Sequence, residues 1–299
     1  MMNTFPRRRA RGFTLVELVI VIVITGIVGA MVAMFIRLPV QGYIDANARA
    51  ALADLADTAT RRMARDIRLA LPNSVRVTGN GRYLELLLTK SGGRYLAEDD
   101  PPGLGPVLAF DAGTPVANPL QFTIVGAPPA NSGSTVQAVA AGDFIAVYNL
   151  GINLPDAYSC ASGPQGCNLA RVAAVNGSTV TLQSNPFLAQ AVPQPSPTRR
   201  FQVVTTPVTY VCDPASRTLR RYSRYAIAAL QPADTAAVPL SGAGVQALLA
   251  DQVQSCLFSY SALANQQRGL VSVMLQLGAT GSNTGTVTLV QQVQVNNTP

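Results

Sequence analysis

Glu17 is the side chain most at odds with its surroundings. It stands in the run from Phe13 to Ile36, where the only other polar side chains are Thr14 and Thr25. A carboxylate at mid-membrane depth costs about 2.5–3.5 kcal/mol on insertion scales and less near an interface, so something must compensate it. Gly12, just before the run, has no side chain and lets a protease approach an extended backbone closely. A cut after Gly12 creates a charged amine at Phe13, four residues from Glu17. When helices pack side by side, the Glu17 carboxylate of one chain can meet the Phe13 amine of another. A low-dielectric surrounding makes that matched pair far cheaper than either lone charge. Gly12 and Glu17 are thus the positions whose types could serve a cut and a charge pair between helices.

Other reactive groups are sparse. Histidine and tryptophan are absent, which removes Ser/His and Cys/His nucleophile pairs and histidine metal sites. No Gly-rich phosphate loop or paired-carboxylate motif occurs, so no catalytic residue, metal site or cofactor is expected and the chain is read as a non-enzyme. Four cysteines lie beyond the apolar run; in an oxidising compartment they favour two disulfides, and three pairings are open. The preferred one joins Cys160 to Cys167 around "CASGPQGC" and Cys212 to Cys256 between two strands. Glu98-Asp99-Asp100 reads as a hydrated loop rather than a calcium site, and Arg217, Arg220, Arg221 and Arg224 as a solvated basic edge.

The elements that hold these groups follow from the pattern. As a helix, Phe13 to Ile36 spans roughly 36 Å, enough for a bilayer core of about 30 Å. Arg7, Arg8, Arg9 and Arg11 precede it and supply four of the seven net positive charges. The positive-inside bias therefore puts residues 1–12 in the cytoplasm and everything after Pro39 outside, with the one span in membrane lipid. Pro39 and Gly42 predict a kink or short melt over Arg37 to Tyr43. Leu52, Leu55, Ala59, Met63 and Ile67 then recur at helical spacing, ending at Leu71-Pro72. Arg61, Arg62, Arg65 and Arg68 fall mostly on the other faces. With acids interleaved and stacking aromatics missing, that face reads as solvated or subunit-facing, and no nucleic acid is expected.

After Pro72 short β-like runs alternate with turns such as Asn176-Gly177-Ser178 and Asn283-Thr284-Gly285. The Pro-rich "AVPQPSPTRR" reads as a linker between two lobes. The expected organisation is a leader over 1–12, a membrane and assembly helix over 13–36, an amphipathic helix over 37–72, a first β-rich lobe over 73–190 and a second antiparallel lobe over 200–299. The fold class is α+β.

The string Gly12-Phe13-Thr14-Leu15-Val16-Glu17, basic before and apolar after, resembles the prepilin-type leader of type IV pilins and type II secretion pseudopilins. That resemblance implies cleavage between Gly12 and Phe13 by a prepilin peptidase and methylation of Phe13. It implies a long helix packed on an antiparallel sheet, and assembly with other minor and major pilins at an inner-membrane platform, into an extracellular pilus. A finer resemblance, in "FIRLPVQGYIDANARAALADLADTATRRMARDIRLALPNSVRV", "TPVTYVC" and "LVQQVQVNNTP", is to the O-type minor pilins of mannose-sensitive haemagglutinin (MSHA) pilus biogenesis. J-type minor pseudopilins of type II secretion, and tip subunits that bind a surface, a glycan or DNA, are the alternatives.

Overall fold

The computed structural model describes residues 12–133, 135–151, 156–262, 267–279 and 285–299. Arg7, Arg8, Arg9 and Arg11, and Asn283-Thr284 of the last turn, lie outside these residues. The chain forms two compact units, one up to Ala51 and the other from Leu52 to Pro299.

The first unit is helical. Helix α1 runs Leu15–Arg68, without a break at Pro39. The melt expected over Arg37 to Tyr43 is therefore absent. Proline withdraws one hydrogen bond and crowds the preceding turn, but with helical neighbours on both sides a single one can be carried inside a helix.

The second unit begins with the last part of α1, whose buried face consists of Leu52, Ala56, Ala59, Met63, Ala64 and Ile67. These pack with Leu84, Leu86, Val208 and Tyr210 and with Val271, Val273, Val293 and Val295, so one helix face serves two sheets. Beyond Arg68 the chain leaves the helix and joins the sheet: Leu71 N donates to Leu87 O at 2.8 Å and Thr89 N to Leu69 O at 2.8 Å.

The larger sheet has nine strands: β1 (Arg76–Thr78), β2 (Tyr83–Tyr95), β3 (Gln121–Val125), β4 (Phe144–Ala146), β5 (Leu169–Asn176), β6 (Thr179–Leu182), β7 (Arg200–Asp213), β8 (Thr218–Ser223) and β9 (Val245–Ala250). Every pairing is antiparallel. The pairings close a ring, β2-β3-β6-β5-β4-β7 and back to β2, which makes a six-stranded barrel filled by Phe122, Ile145, Val172, Val180, Leu182 and Phe201. The long strands β2 and β7 belong to two structures at once. Their Tyr83–Leu88 and Thr206–Val211 halves lie in the open sheet under α1, and their Thr89–Arg94 and Arg200–Val204 halves complete the barrel. Register shifts at Leu88/Thr89 and Thr89/Ser91 mark the change, as bulges that bend a strand should. Gly92 and Gly93 admit the neighbouring strand there: a Cβ on Gly93 would lie 2.8 Å from the Phe201 ring.

The smaller sheet is β10 (Val253–Ala262), β11 (Arg268–Gly278) and β12 (Thr286–Asn296), in that order. The sheets divide between β9 and β10, not at the Pro-rich stretch, because β7 spends its length pairing with β2, β4 and β8. Strand β9 was not foreseen. The architecture is α+β, a long N-terminal helix packed with a large antiparallel sheet and an additional β-rich region.

Candidate functional site

The amino-terminal segment is built around the start of α1. Leu15 is the first helical residue, so Thr14 is the N-cap and Glu17 the third residue of the helix. Thr14 N and Thr14 Oγ1 donate to Glu17 Oε2 at 3.4 and 3.3 Å, and Glu17 N donates to Thr14 Oγ1 at 3.3 Å. This is a capping box, which satisfies amides that a helix start leaves unpaired. A carboxylate in the first turn also meets the positive end of the helix dipole. The Thr14-x-x-Glu17 spacing is legible in the sequence; pairing the carboxylate only with a neighbour's amine overlooked it. Thr25 is likewise satisfied within the helix, its hydroxyl donating to Val21 O.

Cleavage after Gly12 would leave Thr14 as the second residue, so the box would survive processing. Glu17 has donors but no cation beside it among the described residues. The large apolar side chains from Phe13 to Ile36 are all exposed, up to 80% at Phe35. Apolar surface on that scale belongs in lipid or against other helices. Among the described residues α1 is the one helix long and apolar enough to cross a membrane.

The remaining candidates have structural partners. Cys160 is bonded to Cys167 with Cα atoms 4.4 Å apart, and Cys212 on β7 to Cys256 on β10 with Cα atoms 6.2 Å apart. The second bond ties the two sheets together. Asp100 receives Arg94 at 2.6 Å and Arg199 at 2.7 Å, and Asp99 also receives Arg199. The Ala97 backbone amide and then Arg94 hold the Asp100 carboxyl below the usual range. Asp99 and Asp100 thus clasp the end of β2 to Arg199, the residue that leads into β7.

The basic edge is corrected at Arg221, while Arg224 is exposed and Arg220 half-buried. Arg221 is buried and donates from Nε to Asp66 Oδ2 at 2.8 Å, where Tyr210 also donates at 2.7 Å. Burial lowers the Arg221 guanidinium, but Asp66 outweighs that and the net shift is upward. Arg217 reaches Gly278 O. Arg221 alternates with Arg220 on β8, and a period-2 strand sends one of any adjacent pair inward; Asp66 is the inward charge that receives it. Asp66 itself was missed, although it lies one residue from Ile67 on the apolar face.

A second buried ion pair supports the open sheet. Arg76 Nε meets Glu85 Oε2 at 2.5 Å, Tyr225 donates to Glu85 Oε1 at 2.9 Å, and Arg76 stacks 3.5 Å over the Tyr158 ring. Burial raises Glu85 above the ordinary carboxylate value, which Arg76 only partly offsets.

The family model for the prokaryotic N-terminal methylation motif matches residues 7–33. That motif, read on an exposed apolar helix, supports a type IV pilin-like or pseudopilin subunit, implies processing by prepilin peptidase and assembly with other pilins, and fits membrane anchoring with incorporation into a pilus. No curated protein and no solved structure matches the chain.

Proposed function

We propose that the chain is a minor pilin of an MSHA-type type IV pilus. In this reading prepilin peptidase cuts between Gly12 and Phe13, Phe13 is N-methylated, the apolar half of α1 waits in the inner membrane with the β-rich body in the periplasm, and the subunit then helps a filament start. What supports the pilin-like part of the reading is the methylation motif at residues 7–33 at the head of an apolar helix that is exposed among the described residues; the MSHA type rests on the resemblance alone. Glu17 supplies the assembly charge. Its capping box makes the carboxylate tolerable within one chain, and the Phe13 amine of a neighbour would neutralise it. The "TPVTYVC" and "LVQQVQVNNTP" strings that resemble O-type minor pilins correspond to parts of β7 and β12, at the centre and rim of the two sheets.

Intact mass spectrometry of the protein from native membranes and from sheared filaments tests the proposal. A chain starting at methylated Phe13 and present at low ratio in filaments is expected. A chain starting at Met1 or Met2 would refute it. A processed chain whose deletion abolishes protein export but leaves piliation intact would move the protein to the pseudopilins.

A further inference from the structure

The outer edge of β12 is long, regular and unguarded. It pairs with β11 without a register shift from Gly278↔Thr286 to Arg268↔Asn296, and no backbone hydrogen bond joins it to any other element among the described residues. A free strand edge presents a row of unpaired N–H and C=O groups, and proteins normally blunt such edges with charge, proline, bulges or brevity. Other edges in this protein are blunted. β1 is three residues long, β9 is six residues and is followed by Asp251, and β10 is bulged at Val253/Ser255, disulfide-bonded to β7 and bridged by Phe258 N to Gly81 O. β12 has none of these devices, and no charged residue follows Arg268 in the sequence.

The same edge has a charged neighbour. The side chains of Val287, Leu289, Gln291, Val293 and Val295 alternate toward the helix side of the sheet, and Val293 and Val295 are the ones fully covered. At Gln291 a hollow of about 620 Å³ opens between β12 and α1, lined also by Asp57, Arg61, Ala64, Arg65, Arg68 and Leu69. Arg61 is bound to Asp57 at 2.6 Å, whereas Arg65 and Arg68 have no carboxylate partner among the described residues. A strand added to β12 would project alternate side chains into this hollow.

We infer that the β12 edge accepts an extended acidic segment of another pilin-like subunit by strand addition, its backbone pairing with β12 and its inward carboxylate meeting Arg65 and Arg68. The inference rests on the reading of the chain as an assembling subunit. Pairing of two β12 edges from two copies is disfavoured, because it would bring two arginine rows together without acids to match them.

The test uses the full chain, in cells producing its whole assembly system, with a benzoylphenylalanine cross-linker replacing Gln291, or replacing Arg171 on β5 as a control. Irradiation is expected to give an adduct at position 291 and not at 171, mapped by tandem mass spectrometry to an acidic, extended segment of a different pilin-like subunit. The double change Arg65→Glu and Arg68→Glu, at two exposed positions, should cut its yield at least tenfold, and Arg65→Gln with Arg68→Gln by less. No adduct, an adduct with a second copy of this chain, equal yields at both positions, or indifference to charge reversal would each overturn the inference. The amino terminus measured in the same sample separates the two failures. Methylated Phe13 without an adduct removes only the docking strand, whereas an uncut chain removes the subunit reading itself.

Discussion

Arg221→Met should be among the most damaging single substitutions in the β-rich unit. It strips the Asp66 carboxylate, 4% exposed, of its 2.8 Å partner and leaves it the Tyr210 hydroxyl and Arg62, whose Nε is 3.7 Å away on an exposed side chain. Breaking a buried pair from one side costs about 3–5 kcal/mol, because the remaining charge stays desolvated. Adding Asp66→Leu removes that charge but orphans the Tyr210 hydroxyl, a penalty of about 1–3 kcal/mol. Tyr210→Phe as a third change removes it and leaves only the buried Ser223 hydroxyl without its 3.0 Å Arg221 Nη1 partner, so the apolar triple variant should recover most of the loss, to within about 1–3 kcal/mol of the parent. Urea unfolding of the detergent-solubilised full chain, disulfides intact, followed by far-ultraviolet circular dichroism, gives each value. The reasoning fails if Arg221→Met costs less than about 1 kcal/mol, or if the triple variant is no more stable than the single one, since either result would mean the charges are not desolvated together.

Gly12→Val should leave an uncut precursor in the membrane fraction, read as an intact mass that still includes the leader; normal processing would remove the cleavage assignment. Glu17→Ala should still be cut, yet be depleted from sheared filaments, and full incorporation would show its charge to be dispensable. Gly93→Ala should destabilise by about 1–3 kcal/mol through overpacking against Phe201, checked by the unfolding midpoint; a midpoint equal to the parent's would show that the ring yields freely. Burial raises folded Glu85 above its ordinary value of 4.5, so the folded chain binds this proton more tightly than the unfolded one. Stability from this group is therefore lost as pH rises from about 4.5 through the folded value. Glu85→Gln should flatten that part of a midpoint-against-pH curve, and an unchanged slope would exclude Glu85 as its source.

Local features were legible where one residue type decides them. Asn176-Gly177-Ser178 marks the β5–β6 hairpin because Gly177 adopts φ +59, and the apolar spacing from Leu52 to Ile67 marks the helix face. What escaped is non-local. "AVPQPSPTRR" has the composition of a linker, but Arg200 is already in β7 and opposite Arg94. No local pattern says that Thr89–Arg94 will turn from an open sheet into a barrel. The length of the apolar-rich run in β7 was a hint, since fourteen residues exceed what one small sheet needs. Arg221 was misplaced for the same reason. A charge within a strand reads as solvated until the helix carrying Asp66 is laid over it.

Asp66 also bears on how a subunit of this kind can work. Were the apolar part of α1 pulled during assembly, the load would reach the β-rich unit through the backbone of residues 52–68, and a fixed register of the last helical turns on the sheet would then matter. Met63 and Ile67 provide area but little axial specificity, because apolar contacts are non-directional. Asp66, held by Tyr210 of β7 and Arg221 of β8, provides a register, since a shift of one residue along the helix would strand all three groups without water. Cys212, two residues from Tyr210 on the same strand, links that strand onward to β10 and the three-stranded sheet. In the triple apolar variant, equilibrium stability can therefore recover while that register is lost. If assembly depends on a fixed helix position, the variant should recover most of its stability over Arg221→Met alone yet enter filaments no better, a separation that a purely energetic role for Asp66 would not produce.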